Sequence, residues 1–338
     1  FKPKYFFISD DTIFNKIKKK FKNKKTKIIN NILDIKFKKK IDISISAIPG
    51  ISGLNPTLLL LKKSRKLLIA NKESIICGWD LIEKLAKKNK TKIIPIDSEH
   101  FSIFKLIQNH QIAEIKRIYL TASGGPFLKL SKKKIKSISP KEALKHPKWN
   151  MGKKISIDSA TLMNKILELV EAHKLFKIPY NKLDILIHPD SFVHAIIQFN
   201  NGLYKFIYHE NSMIIPIANA IFDNDFNIEY FYKSKLKRKF KKNLTFDVVN
   251  HNIFPTIKLK KLINSGPSSP IIINASNEVL VDQFLAKKIA FYDIFKYIMV
   301  VLKDKYYRNY AIRKPKNINQ IYAINDWAKK TTLEKINN

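Results

Sequence analysis

The chain has 338 residues, 45% of them hydrophobic, so it can fill two or three domains and at least one large core, and it is too apolar for a disordered protein. Lys and Arg number 64 against 27 Asp and Glu, a net charge of +37, yet the basic residues are nearly all lysines in short runs spread over the length, such as Lys18-Lys19-Lys20 and Lys132-Lys133-Lys134. With many Ile and Asn and only 8 glycines, this is the pattern of drift under AT-rich codons rather than of a nucleic-acid surface, for which arginine base readout and interleaved aromatics are not evident. The single cysteine, Cys77, excludes an internal disulfide, and no Cys/His spacing for zinc is present. No apolar run reaches the ~18 residues of a membrane helix, so no membrane partner and a cytoplasmic setting are expected.

The chain opens at Phe1, not Met, inside what reads as structure: a strand over residues 5–9, then Asp10-Asp11-Thr12 starting a basic helix. A front unit is therefore expected before it. Residues 41–48 alternate apolar and polar with the period of a strand, and Pro49-Gly50-Ile51-Ser52-Gly53 makes a turn. Asn55-Pro56 suits a helix start, residues 66–70 the next strand, and Asn71-Lys72-Glu73-Ser74 a turn into a helix ending near 90. The apolar run 92–96 is then a buried strand. Strands and helices alternating at this spacing predict a doubly wound, parallel α/β sheet. Gly50 and Gly53 lack the G-x-G-x-x-G pattern and read as a plain turn, and no P-loop occurs.

After Ile96 comes Asp97-Ser98-Glu99-His100. If the chain stays extended there, both carboxylates face one cleft beyond the strand's carboxyl end and Ser98 turns away; the competing reading is an acidic helix cap. A strand over 118–122 runs into Ser123-Gly124-Gly125-Pro126-Phe127, where two glycines let backbone approach an anion and the serine adds a donor; a turn without a ligand reads equally well. Residues 129–154 are lysine-rich and irregular. Within them, His146-Pro147-Lys148-Trp149-Asn150-Met151-Gly152 is either a lid closing over a ligand or a loop that Trp149 anchors. Asp158 or Ser159 is expected to cap a helix with a broad apolar face, on which Asn164, Glu168 and Glu171 line up with Lys165 beside Glu168. That stripe is either a ligand set or a solvated face. The oxygens of Asp97, Glu99 and Glu168 suit a hard divalent cation, while Lys165, Asn164 and the hydroxyls suit an anionic, polyhydroxylated substrate.

Strands follow over 183–187 and 194–199, with a hairpin at Gly202 into 203–207; the intervening His188-Pro189-Asp190-Ser191 is a turn with a structural histidine. Residues 224–243 read as a linker, and 256–263, 275–285, 292–303 and 319–335 as helices of a C-terminal domain.

In order and spacing, one set of segments forms a recognisable series. It comprises residues 47–54, 68–74 and 95–100, then Ser123 to Phe127, His146 to Gly152, Asp158-Ser159-Ala160-Thr161 with Met163-Asn164-Lys165 and Glu168, Ile187-His188-Pro189, and Asn274-Ala275-Ser276-Asn277-Glu278. The series resembles the 1-deoxy-D-xylulose 5-phosphate reductoisomerase family over nearly the whole chain. The resemblance implies conversion of that sugar phosphate to 2-C-methyl-D-erythritol 4-phosphate in isoprenoid precursor synthesis, by skeletal isomerisation and then hydride transfer from NADPH. It implies Mg or Mn held by Asp97, Glu99 and Glu168, and substrate oxygens at Ser98, Glu99 and Lys72. The phosphate would sit among Ser123, Ser159, Asn164 and Lys165, with His146 in the flap; Glu99, Lys72 and His146 would be the catalytic residues. NADPH would meet Asn71, Glu73 and Gly152, and Trp149 with Met213 would line the closed site.

The resemblance further implies a homodimer and a fourfold layout. A truncated, Rossmann-like NADPH domain would occupy 1–96 and an α+β catalytic domain 97–222, with its flap at about 123–153. A linker over 223–250 and a small helical domain over 251–338 would follow. Ile166, Asp190 and Ile214 stand where the family usually has glycine, glutamine and arginine. The family's glycine-rich first turn belongs before Phe1, so the expectation is a chain that keeps its metal and sugar-phosphate sites and loses most of its grip on NADPH. The competing classes are a non-catalytic remnant and a basic nucleic-acid-binding protein.

Overall fold

In the computed structural model, residues 2–337 are described apart from 23, 33, 34, 36, 38, 129, 131–134, 136, 150, 224 and 232–242. They fall into two units, Phe1–Asp42 and Ile43–Asn338. In the first, β1 (Tyr5–Phe7) pairs in parallel with β2 (Lys27–Ile29), joined through α1 (Asp11–Lys20). Asp10 caps α1 by accepting the backbone N–H of Ile13 at 2.8 Å, and three lysines close its last turn, the charge order a helix dipole favours.

The second unit starts within β3 (Ile41–Ser46) and continues through α2 (Leu54–Lys63), β4 (Ser64–Ile69), α3 (Lys72–Asn89) and β5 (Lys92–Pro95). The three strands form a sheet in that order, with β4 and β5 parallel. Leu67 and Ile69 join the main core with Ile75 and Ile82 of α3, whereas Leu68, Ile94 and Ile96 pack on the other side against Ala220. Burial on both faces explains why these strands are continuous apolar runs rather than alternating ones.

Next come α4 (Ser98–Leu106), β6 (Ile115–Ala122), α5 (Pro140–Ala143), α6 (Lys153–Ala160), α7 (Met163–Phe176), β7 (Leu183–Ile187), β8 (Val193–Phe199), β9 (Tyr204–Tyr208), α8 (Ile214–Phe222) and β10 (Asp247–Val248). The five strands order as β10-β7-β6-β8-β9; β6 and β7 are parallel and the other pairs antiparallel. α7 covers one face of this sheet, and Ile166 is fully buried there. The C-terminal helices α9 (Ser269–Leu285), α10 (Asp293–Val301), α11 (Tyr307–Ala311) and α12 (Ile318–Asn337) pack around α9, which also touches α3 and α6.

Several boundaries differ from the sequence reading. Residues 255–261 form a 3-10 turn instead of an α-helix, and α2 starts one residue before Asn55. The 129–154 stretch is not wholly irregular: Ser139 and Glu142 form a reciprocal capping box on α5. α8, α11 and β10 are additions. Of the expected linker over 223–250, residues 223, 225–231 and 243–250 are described and include a 3-10 turn at Ile228–Phe231 and the strand β10; 224 and 232–242 lie outside the described residues. No described helix is long and apolar enough to cross a membrane.

Candidate active site

Asp97 ends the run from β5 and caps α4, its Oδ1 accepting the His100 backbone N–H at 2.9 Å and the ring Nδ1–H at 2.8 Å. The cap reading and the cavity reading are thus met by one residue, because the carboxylate also borders a cavity of about 320 Å³. The extended course past Ile96 is corrected. Capping turns the chain into a helix at once, and Ser98, expected to point away, donates to Glu99 Oε2 at 2.6 Å and lines the same cavity.

The second acidic segment also folds differently. Asp158 and Ser159 do not start a helix; they end α6, which is capped at Gly152. Leu162, buried and at φ +66°, breaks the path before α7, while Thr256 bonds the Thr161 carbonyl. The break lets Ser159 at the end of one helix and Asn164, Lys165 and Glu168 at the start of the next face one cavity. Glu168 and Glu171 are buried, so the solvated-face reading of this stripe does not hold.

At the acidic end, Asp97, Glu99 and Glu168 each offer an oxygen, all within 4.8 Å of one another. Lys165 bridges Glu99 and Glu168, lying 2.7 Å from Glu168 Oε2, and Asn164 donates to Glu168. Lys72 Nζ lies 3.1 Å from Glu171, 3.8 Å from Glu168 and 3.9 Å from Asp97. Burial alone would favour neutral groups, but the neighbours decide most of them. Glu171, Glu168 and Asp97 hold Lys72 well above its ordinary range, and Glu168 and Glu99 do the same for Lys165. Against its burial, Asp97 and then Glu171 raise His100 to about 10; its Nδ1 and Nε2 both meet oxygen acceptors, Asp97 and the Glu168 carbonyl, as an imidazolium requires. His100 pulls Asp97 far down and Lys165 lowers Glu99, each against burial. Glu168 goes the other way: burial, then Glu99, push it to about 8.

Four carboxylates (Asp97, Glu99, Glu168, Glu171) thus face three cations (Lys72, Lys165, His100). The surplus carboxyl group, which keeps its proton up to about pH 8 in the metal-free cluster, and the all-oxygen donor set fit a hard divalent cation, whose binding would displace that proton. The Asn164 side-chain oxygen is buried without a protein partner and adds one more acceptor.

The other end of the cavity gathers hydrogen-bond donors around Ser123 and His146. Gly124 and Gly125 have φ of +80° and +60°, and a Cβ on Gly125 would stand 3.2 Å from both the Ala160 Cα and the Ser159 carbonyl, so glycine lets the β6 turn press against the end of α6. His146 Nδ1 accepts the backbone N–H groups of Lys148 (3.2 Å) and Trp149 (2.9 Å), which puts the proton on Nε2, 3.0 Å from Ser123 Oγ. Ser123 Oγ therefore accepts from His146 and from the Gly125 N–H at 3.2 Å, leaving its own hydrogen to donate into the cavity.

Burial, then Lys165, lower His146 to about 4. A base whose folded value lies below its unfolded one contributes stability that is whole above about pH 6.5 and is lost as pH falls toward 4. The His146 ring resonances of the ligand-free protein should accordingly not titrate between pH 8 and 5.5 in an NMR series; a midpoint near 6.5 would contradict the assigned tautomer and burial.

Trp149 and Met213 both line the cavity. Asn71, Glu73 and Gly152 do not. Asn71 caps α3 through Ser74, and its amide is spent on the Ile48 and Gly50 carbonyls and on Glu73. Gly152 is open, with nothing within 4 Å of a Cβ. Sequence reasoning missed His194, Ser191, Thr121 and Ile155 on the lining. For His194 the signal was present: it is a polar residue in a strand that is apolar apart from it and Gln198. Its ring stacks on His209 at 4.3 Å, its Nε2 has no protein partner, and burial pushes it to about 3.

A parallel βαβ sheet beside a carboxylate cluster that opens on a cavity is the frame of an α/β enzyme. Three family models match in succession: 1-deoxy-D-xylulose 5-phosphate reductoisomerase over residues 1–78, its C-terminal domain over 93–176, and a further C-terminal domain of the same family over 210–331. The chain is 45% identical over 333 residues to the 1-deoxy-D-xylulose 5-phosphate reductoisomerase of Pelagibacter ubique, covering 97% of this chain and 85% of that one. It is 37% identical over 338 residues to the enzyme of Thermodesulfovibrio yellowstonii, covering 99% and 87%. Among solved structures, a reductoisomerase in complex with NADPH, fosmidomycin and magnesium matches with a TM-score of 0.88 at 32% identity, covering all of this chain and 87% of that one. The Zymomonas mobilis enzyme in complex with NADPH matches with a TM-score of 0.84 at 30% identity, covering 98% and 85%. The chain belongs to the 1-deoxy-D-xylulose 5-phosphate reductoisomerase family.

Proposed function

We propose that the cavity converts 1-deoxy-D-xylulose 5-phosphate to 2-C-methyl-D-erythritol 4-phosphate, with Mg2+ or Mn2+ at Asp97, Glu99 and Glu168 and NADPH as reductant. The observation that carries this reading is the juxtaposition of a three-carboxylate cluster with a separate anion pocket along one cavity. When bound, the metal polarises the substrate's adjacent carbonyl and hydroxyl oxygens and NADPH supplies the hydride. Ser98, Glu99 and Lys72 hold the reacting oxygens; Lys72, kept cationic by its carboxylates, acts as a hydrogen-bond donor rather than a base. Ser123, Ser159, Asn164, Lys165 and His146 hold the phosphate, so that its binding energy orients the reacting end. Trp149 and Met213 exclude water over the substrate. For the cofactor, Gly152 leaves room for close approach, and Asn71 and Glu73 fix the neighbouring turn. Incubation with 1-deoxy-D-xylulose 5-phosphate, Mg2+ and NADPH should consume NADPH and yield the branched product; NADPH loss without that product would overturn the reading.

The chain assembles as a homodimer through the outer face of the five-stranded sheet. Tyr204, Phe206 and Val248 are exposed there and share a groove with Arg117 and Asp184, an apolar patch with a polar rim such as mates with a second copy. Sedimentation should give twice the chain mass for the wild type and the single mass for Phe206→Glu. A wild-type monomer would refute the assembly.

A further inference from the structure

The motif Asn274-Ala275-Ser276-Asn277-Glu278 lies on α9, fully buried from 274 to 277, and neither end of the cavity uses it. Its work is at a distance. Asn277 Nδ2 donates to Asp158 Oδ1 at 2.7 Å, with both residues buried. The other Asp158 oxygen lies 2.8 Å from Lys154 Nζ, which lies 3.4 Å from Glu73 Oε1, and Glu73 in turn accepts from Asn71 at 3.3 Å. The series runs from the C-terminal helices through α6 to the start of α3. Each of its carboxylates is the chain neighbour of a cavity residue: Asp158 precedes Ser159, and Glu73 follows Lys72.

We infer that Asn277 is a positioning residue for the substrate's anionic end, fixing the end of α6 and with it Ser159 relative to Lys72 and the carboxylate cluster. This rests on the sugar-phosphate reading above. A buried carboxylate that loses a donor retains most of its desolvation cost, and the structure relieves that cost by moving whichever element can reach water. α9 is enclosed by α3, α6, α10 and α12. α6 is followed by the left-handed break at Leu162 and begins at the exposed Gly152, so α6 is the element that gives way. A shift of its last turn by ~0.5–1 Å takes the Ser159 hydroxyl out of hydrogen-bond range while leaving the metal ligands in place. Holding a charged network in the interior rarely adds stability over apolar packing, which fits a role in placement.

The test is calorimetric binding of 1-deoxy-D-xylulose 5-phosphate to the Mg2+-loaded chain without NADPH. Asn277→Leu should raise Kd about tenfold or more, the loss of one hydrogen bond to a buried charge, with the stoichiometry kept at one. The exchange Asp158→Asn with Asn277→Asp keeps one amide facing one carboxylate and should return Kd to within about threefold of wild type, whereas either single change should not. Ser276→Ala, on the same helix and without a hydrogen-bond partner, should bind as wild type. An unchanged Kd in Asn277→Leu overturns the inference. So does a lower stoichiometry at constant Kd, which marks a purely structural role, and so does an exchange no better than the singles. A wild-type chain that binds none of the sugar phosphate overturns the reading beneath it and this inference as well.

Discussion

Replacing Glu168 by Gln should abolish measurable Mg2+ binding and lower turnover by at least about 10²–10³-fold, the cost typical of removing a group that stabilises developing charge. The same change should leave the metal-free protein as stable as wild type or more so. Glu168 is the carboxylate that burial and Glu99 push up to about 8, so in the metal-free cluster it is the one that keeps its proton at neutral pH, and a neutral Gln resembles it. Without it, Asp97, Glu99 and Glu171 balance Lys72, Lys165 and His100. A purely structural Glu168 would behave oppositely, with loss of stability and no change in metal affinity. Calorimetric titration with Mg2+, paired with thermal melts of the metal-free forms, separates the two; a melt lowered by more than about 5 °C with unchanged Mg2+ affinity would refute the metal role.

Lys72→Met is expected to be the opposite kind of variant. It leaves Glu171 and Glu168 facing one another without the ammonium that lies 3.1 Å and 3.8 Å from them. Breaking a buried pair by removing one partner costs about 3–5 kcal/mol, because the remaining charge keeps its desolvation penalty. The apoprotein should therefore melt well below wild type, and millimolar Mg2+ should recover part of the loss by supplying positive charge to the same carboxylates. Turnover should not recover, since the donor to the substrate oxygens is gone. A Lys72→Met protein that melts as wild type would show that the carboxylates around it do not carry the charge assigned to them.

How far the sequence disclosed this site depends on the element. The α/β class was legible because Lys66 to Ala70 and Lys92 to Ile96 are continuous apolar runs separated by one helix length, and burial on both faces of the β4 and β5 sheet imposes that pattern. The grouping of Asp97, Glu99 and Glu168 was legible as chemistry, since three hard-oxygen ligands have few other reasons to sit at the end of a strand and in an apolar helix. Their local backbone was not legible. Asp97 is at once an N-cap and a cavity residue, and periodicity treats those as alternatives; a cap turns the chain after one residue, so the two-residue alternation of a strand misplaced Ser98.

The break at Leu162 escaped for a related reason. A left-handed leucine is stabilised by tertiary contacts, among them Thr256 on the Thr161 carbonyl from 95 residues away, and no local propensity announces it. Asn71 and Glu73 read as ligand groups at a strand end; what the sequence did not disclose is that their polar atoms also engage the Ile48 and Gly50 carbonyls, one another and Lys154. Buried polar networks of this type are composed of residues far apart in sequence, so they show only when the elements are assembled.

The most direct test of the central claim, one cavity with a metal end and a phosphate end, is a crystal structure with Mn2+ and 1-deoxy-D-xylulose 5-phosphate, with anomalous data collected at the manganese edge. A single anomalous peak at roughly 2.0–2.6 Å from oxygens of Asp97, Glu99 and Glu168, with the phosphate against Ser123, Ser159 and Asn164, is the predicted result. An anomalous peak away from these carboxylates, or a phosphate bound elsewhere than at the His146 end, would contradict it.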